Sequence, residues 1–285
     1  MKKKTSAEKI VNYGAGAAAT VLIAYLFISY RYFTEVPTGC MANYPQALRF
    51  ALENSDGLPL SMIELQALAG SQEQGVMQNT RIVNTDSGPA HRVLQVSLGR
   101  ADSDSDSAVG VHFDWRPDNG QGAQSACIRY SVKLAEDFNF TGNGVLPGVF
   151  GGPTPNRDGL TSDKGVAVRP MWSMNGDAII VALAKTVSDQ GTMALNRLKP
   201  VKLQPGQWMT IEQEVVLNTP GTDNGAVRVW IDGQQEVDAK DLKLREDDSV
   251  GLDGVDNTIG FTGKAAEIPV GGAQLWITPI EYGWK

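Results

Sequence analysis

The sequence predicts an all-β body, a two-sheet β-sandwich or jelly roll, preceded by one transmembrane helix and a short helical stalk. Three observations predict it. From about residue 77 onward, short β-prone runs follow one another with turn residues between them and no helical run. The chain of 285 residues carries 31 glycines and 14 prolines, the usage of a fold with many turns. Ahead of all this lies one long uncharged apolar stretch.

That stretch, "IVNYGAGAAATVLIAYLFISY", fills the 21 positions between Lys9 and Arg31. At a helical rise of ~1.5 Å per residue it spans a hydrocarbon core of ~30 Å. Tyr25, Tyr30 and Tyr32 occupy the place of interfacial aromatics. Lys2, Lys3, Lys4 and Lys9 precede it, which places the amino terminus in the cytoplasm and the rest of the chain across an inner or plasma membrane, in the periplasm or outside the cell. A cleaved signal peptide is the rival reading, but no A-x-A-like site follows the run, so an uncleaved anchor over residues 1–33 is expected. Lipid attachment at Cys40 is the weaker third option, since "VPTGC" lacks the usual leucine.

Residues 34–76 read as a stalk or cap. "YPQALRFALEN" (44–54) and "PLSMIELQALAG" (59–70) each begin at or near a proline and are expected to be short helices. Cys40 lies in this stretch and Cys127 in the body. In an oxidising compartment the two would form one disulfide tying stalk to body; otherwise they are two unpaired thiols.

Residues 77–285 hold ten expected strands: "TRIVNTD", "HRVLQVSLG", "AVGVHFDW", "ACIRYSVKL", "GVAVRPMW", "AIIVALAK", "WMTIEQEVVLN", "AVRVWIDG", "NTIGFTG" and "AQLWITPIEY". The acidic run "RADSDSDSAVG" (100–110) begins like a calcium loop, but Ser107 and Phe113 stand where glycine and glutamate are required, so a solvated loop is expected. Two cysteines and two histidines without ligand spacing suggest no metal centre, and no cofactor motif is found.

Net charge is −7, and residues 1–33 hold five basic side chains against Glu8 alone. The rest therefore carries 20 basic against 31 acidic side chains, a balance of −11. Such a body is a poor nucleic-acid binder and repels polyanions at long range.

Three blocks carry a resemblance: "NFTGNGVLPGVFGG" (139–152), "VRPMWSMNGD" (168–177) and "PGQWMTIEQEVVLNTPGTDNGAVRVWIDGQ" (205–234). In this order they resemble the alginate-lyase-like jelly rolls of polysaccharide lyase family 14 and their glucuronan-lyase relatives, over residues 77–285. The resemblance implies a concanavalin-like jelly roll with the glycine-rich block as a cleft wall. It also implies β-elimination on uronic-acid polymers, which needs a neutraliser for the C6 carboxylate, a base for the C5 proton and an acid for the leaving oxygen. The family associates this work with a lysine in the glycine-rich block, a serine and an arginine two apart on the next strand, and a tyrosine pair on the strand after it. Here the lysine position is Val145 and the serine position Ala167, while the arginine is kept as Arg169. The tyrosine pair falls at Val181 and Leu183, or at Ile180 and Ala182 if the register slips by one. Which face of strand 178–185 meets the cleft is left open by the pattern.

Other residues offer themselves for carbohydrate contact. His112 is either a base near neutral pH or a structural hydrogen-bonder. Arg169 either meets a carboxylate or pairs with an acid in the sheet. Trp115, with polar turn residues after it, is the best sugar platform among the tryptophans; Tyr130, Lys185 and Phe150 complete the candidate set. Arg169 and His112 are the candidates for any surviving chemistry. The expected function is a membrane-anchored, non-catalytic lyase-like module, binding a polysaccharide or bracing a membrane protein partner in a polysaccharide synthesis or export assembly. A neutral or weakly charged polymer suits the acidic body. The alternatives are an active lyase with a displaced catalytic set, and a protein-docking domain whose groove is lined by the apolar replacements.

Overall fold

The computed structural model describes residues 20–25, 39–99, 110–153, 165–196, 201–262 and 273–285. The chain divides into two compact units, Met1–Thr38 and Gly39–Lys285. Of the predicted anchor, residues 10–30, only 20–25 are described. They are helical, with Val21, Leu22, Ile23 and Tyr25 exposed. Among the described residues no helix is long and apolar enough to cross a membrane. The acidic run lies outside the described residues except for Gly110.

The second unit is a sandwich of antiparallel strands. In chain order these are β1 (Gln46–Arg49), β2 (Thr80–Asn84), β3 (Arg92–Leu98), β4 (Gly110–Val111), β5 (Asp114–Trp115) and β6 (Ser125–Leu134). Then come β7 (Gly144–Val145), β8 (Gly148–Gly151), β9 (Val166–Trp172), β10 (Asp177–Ala184), β11 (Thr192–Ala194) and β12 (Val201–Lys202). The last are β13 (Trp208–Val216), β14 (Gly225–Ile231), β15 (Gln234–Leu242), β16 (Gly254–Asp256), β17 (Ile259–Phe261), β18 (Ala273–Ile277) and β19 (Glu281–Trp284). Two short helices, α1 (Met62–Ala69) and α2 (Val76–Asn79), precede β2.

One sheet runs β15-β14-β13-β6-β18-β3-β2, with β19 also on β6 and β1 on β19. The other contains β4, β5, β7, β8, β9, β16 and β17, with β10 beside β9 and carrying β11 and β12. Alternating side chains fill the space between the sheets: Ile128, Tyr130 and Val132 from β6 meet Val166, Val168 and Trp172 from β9 and Ile180 and Ala182 from β10.

Three neighbouring strands of the second sheet are broken at one level. β4 and β5 part at His112–Phe113, β16 and β17 at Asn257–Thr258, and β7 and β8 at Leu146–Pro147, while β9 runs unbroken past both β7 and β8. Proline has no amide hydrogen for the ladder, which suits the break at Pro147. Its carbonyl instead accepts the Tyr130 hydroxyl at 3.0 Å, across the core. The glycines of this block let backbone and rings pack closely. A Cβ at Gly144 would meet the Trp172 ring at 1.9 Å, and one at Gly148 would meet the Val168 carbonyl at 2.1 Å.

The expected helix at 44–54 is corrected. Gln46–Arg49 is a strand, in register with Glu281–Trp284. The free edge of β19 decides it, because edge pairing outweighs the modest helix preference of "QALR". The second expected helix is present as α1, opened by a capping box in which Ser61 and Glu64 exchange hydrogen bonds. Residues 39–76 belong to the same compact unit as the sandwich. Cys40 and Cys127 form a disulfide with Cα atoms 6.0 Å apart. Beside it the Met41 amide donates to Glu212 at 3.0 Å and the Tyr44 hydroxyl to Glu214 at 3.0 Å. The segment is thereby sewn to β6 and β13.

Candidate functional site

The alternation of β9 and β10 decides which side chains leave the core. Ala178, Ile180, Ala182 and Ala184 point inward with Val166, Val168 and Trp172. Ile179, Val181 and Leu183 therefore share the outer face with Ala167, Arg169 and Met171. Register brings Val181 opposite Arg169 and Leu183 opposite Ala167. Val145 pairs with Met171 on the same face. All five positions implied by the resemblance thus meet on one face of the sheet, in the register that places Val181 and Leu183 there; Val145, Ala167, Arg169 and Leu183 are buried on that face and Val181 is half-buried. Four of the five are apolar. Ala167, Leu183 and Phe150 form a small cluster with Val181 packed against it, separate from the main core.

Arg169 is the polar member, and it is engaged. Its side chain is 2 % exposed, and Asp256, at 0 %, takes it in an ion pair. Arg169 Nε donates to Asp256 Oδ2 at 2.5 Å. The other oxygen, Oδ1, accepts the Thr258 amide at 3.1 Å and the Thr258 hydroxyl at 2.5 Å. His112 Nδ1 lies 2.7 Å from that hydroxyl and 3.7 Å from Asp256 Oδ1. Arg169 and His112, distant in sequence, are joined through Asp256 and Thr258 at the line of strand breaks. The break after β16 lets Thr258 turn its hydroxyl and amide back onto Asp256.

Of the other candidates, Phe150 lies on this face but is fully buried, with the Arg116 guanidinium 4.4 Å above its ring. It is a cluster member, not an exposed sugar platform. Trp115, on β5, is half-buried against the core, its ring 5.5 Å from Phe50 and 6.4 Å from Tyr282. Tyr130 is a core side chain, 1 % exposed, and burial raises its phenol well above the ordinary value. Lys185 is exposed just beyond β10 and lines a small cavity with Thr186 and Arg245. Four residues past Val181, it is displaced from Arg169 by ~13 Å along the strand.

His112, Asp114 and Asp256 bring potential metal-ligand atoms within 4.8 Å of one another. Both Asp256 oxygens are already taken by Arg169 and Thr258, so a cation would have to displace the guanidinium. Cys40, Cys127 and Glu212 also cluster, but the sulfurs are in the disulfide. Sequence reasoning missed Asp256, Thr258 and Arg116. The one signal was "VDNT", an acid and a hydroxyl two apart at the start of an apolar run. Nothing local pairs it with a strand 87 residues away.

A family model, polysaccharide lyase 14, matches residues 86–268. No curated protein matches the sequence. Among solved structures, an alginate lyase of the same class from Aplysia kurodai is similar with a TM-score of 0.65 at 18% identity, covering 85% of this chain and 99% of its own. An alginate lyase from a Chlorella virus gives 0.64 at 18% identity, over 78% and 97%. The endo-β-1,4-glucuronan lyase of Trichoderma reesei gives 0.51 at 13% identity, over 76% and 89%.

Proposed function

Because the chain belongs to the polysaccharide lyase 14 family, we propose that it is a non-catalytic member: an exported module, tethered to the membrane by residues 10–30, that holds a polysaccharide against the second sheet without cutting it. One observation carries this reading. Val145, Ala167, Val181 and Leu183 occupy the positions from which the family's chemistry is expected, on the same face as Arg169. Hydrocarbon side chains transfer no protons. Arg169 offers little charge to a uronate carboxylate, because Asp256 already neutralises it in a buried pair. The Cys40–Cys127 disulfide supports export to an oxidising compartment, the periplasm or cell exterior. A module fixed to the membrane in this way also suits bracing a polysaccharide synthesis or export assembly.

The test is to incubate the full-length chain in detergent with alginates, glucuronan and neutral glucans. Ultraviolet absorbance of the unsaturated β-elimination product is then followed, alongside co-sedimentation with the same polymers. The expected result is retention without absorbance. Product formation that is lost in Arg169→Ala would overturn the non-catalytic reading. An active lyase with a displaced set is the second reading, favoured by the convergence of His112 with Arg169 through Asp256 and Thr258. Silence together with no retention would leave the protein-docking reading.

A further inference from the structure

The Thr258 hydroxyl decides which nitrogen of His112 carries the proton. Asp256, held by Arg169, is a carboxylate with no hydrogen to give, so the 2.5 Å contact to its Oδ1 uses the single Thr258 hydroxyl proton. Thr258 Oγ1 is also 2.7 Å from His112 Nδ1, and with its own proton committed it can only accept. Nδ1 therefore carries the hydrogen, and in the neutral imidazole Nε2 carries the lone pair. The His112 side chain is 22% exposed, and Nδ1 faces a carboxylate that is 0% exposed. Nε2, across the ring, is the nitrogen that Thr258 and Asp256 do not hold.

We propose that His112 determines polymer specificity on this face: Nε2 accepts a hydrogen bond from a sugar hydroxyl, and the polymer taken is a neutral glycan, not a uronan. The proposal rests on the reading of the chain as a polysaccharide-binding module. A hydroxyl has a proton to donate to Nε2. A uronan can offer Nε2 only its ring hydroxyls, and its carboxylates, which have no proton to donate, then lie where no uncompensated cation receives them. The nearby cations are compensated: Arg169 by Asp256, and Arg116 by Asp253 at 3.1 Å and Asp114 at 3.6 Å. The −11 balance beyond residue 33 adds long-range repulsion of a polyanion.

The chain has two histidines, His91 and His112, so a His91→Gln variant assigns their signals. Full-length protein labelled with ¹⁵N-histidine, in detergent at about pH 8, above the ordinary imidazole range, is expected to show His112 protonated at Nδ1. An Nε2-protonated His112 would overturn the proposal without any ligand. Under the same conditions, a soluble neutral β-glucan and polyglucuronate are compared by co-sedimentation. The wild type is expected to retain the glucan and not the uronan. His112→Phe and Thr258→Val should each weaken glucan binding about tenfold, equivalent to about 1.4 kcal/mol; His112→Phe should leave the melting temperature unchanged, whereas Thr258→Val should lower it, because it takes the hydroxyl from the buried Asp256 carboxylate. Thr258→Ser, which keeps the hydroxyl, should bind like wild type. Uronan retention equal to glucan retention, or unaltered binding by His112→Phe, would each sink this assignment alone; uronan cleavage that His112→Phe abolishes would sink it together with the non-catalytic reading. Retention of neither polymer by folded wild type would sink the binding reading and this assignment together.

Discussion

Arg169 and Asp256 are worth more to each other than to solvent, because each is buried and their ion pair brings opposite charges together at that depth. Arg169→Met, which leaves Asp256 alone, is expected to lower stability by about 3–5 kcal/mol. The double variant Arg169→Met/Asp256→Leu should recover much of that loss, because it removes the charge along with its partner. Urea denaturation midpoints of the three proteins check this. If the single variant alone were harmless, the pair would not be the buried lock described above. Tyr130 gives a second residue-scale expectation. Burial raises its folded-state phenol well above 10.0, so the unfolded chain loses that proton first as pH climbs. Its contribution is complete below about pH 10 and declines above it, by up to ~1.4 kcal/mol per pH unit until the folded phenol itself titrates. Tyr130→Phe should flatten the fall in stability between pH 9 and 12 by about one tyrosine's share, measured by denaturation at each pH.

At the scale of elements, the segment from Gly39 to Arg49 is held by one covalent and several polar ties. The disulfide closes a loop of 87 residues, for which the chain-entropy account gives an upper figure of about 4–5 kcal/mol. Cys40→Ser/Cys127→Ser is expected to lose a large part of that and to expose β1 to early proteolysis. Limited digestion with N-terminal sequencing of the products would show it; equal resistance in both proteins would mean that β1 pairing suffices. The breaks in β4–β5, β7–β8 and β16–β17 matter differently. They free Pro147 and Thr258 from ladder geometry at one level and leave His112 to an isolated bridge with Gln74, so side chains from neighbouring strands reach Arg169's neighbourhood. A continuous strand would have kept Asp256 and Thr258 on one face about 7 Å apart, without the return of the Thr258 hydroxyl to the carboxylate.

For the whole molecule, the acidic body and the lysine-rich amino terminus describe two environments. The full-length chain is expected to stay with membranes through alkaline carbonate washing, and a chain starting at residue 34 to be released. Extraction of both alike would remove the anchor from the proposal. The apolar run is legible without any fold, because hydrocarbon thickness sets the length it needs. The ten expected strands were equally legible: each is a β-branched or aromatic run between turn residues, and each reappears in a sheet. Shorter elements such as β7 and β16 carry too few residues to show a period, and β15, polar along most of its length, was not among the expected strands.

The sequence by itself determined the sandwich, the family, the replacement of four expected polar positions and the retention of Arg169. These are local facts of composition, spacing and motif. It also narrowed the facing pair to two registers. Only the tertiary structure decided between them, by turning Ile180 and Ala182 into the core and leaving Val181 and Leu183 beside Arg169. Only the structure made "QALR" a strand, buried Tyr130 and Phe150, and gave Arg169 its partner. The physical reason is the same in each case. Asp256 lies 87 residues from Arg169 and β19 more than two hundred from β1, and pairing across such distances is set by which edges and charges the packed sheets bring together.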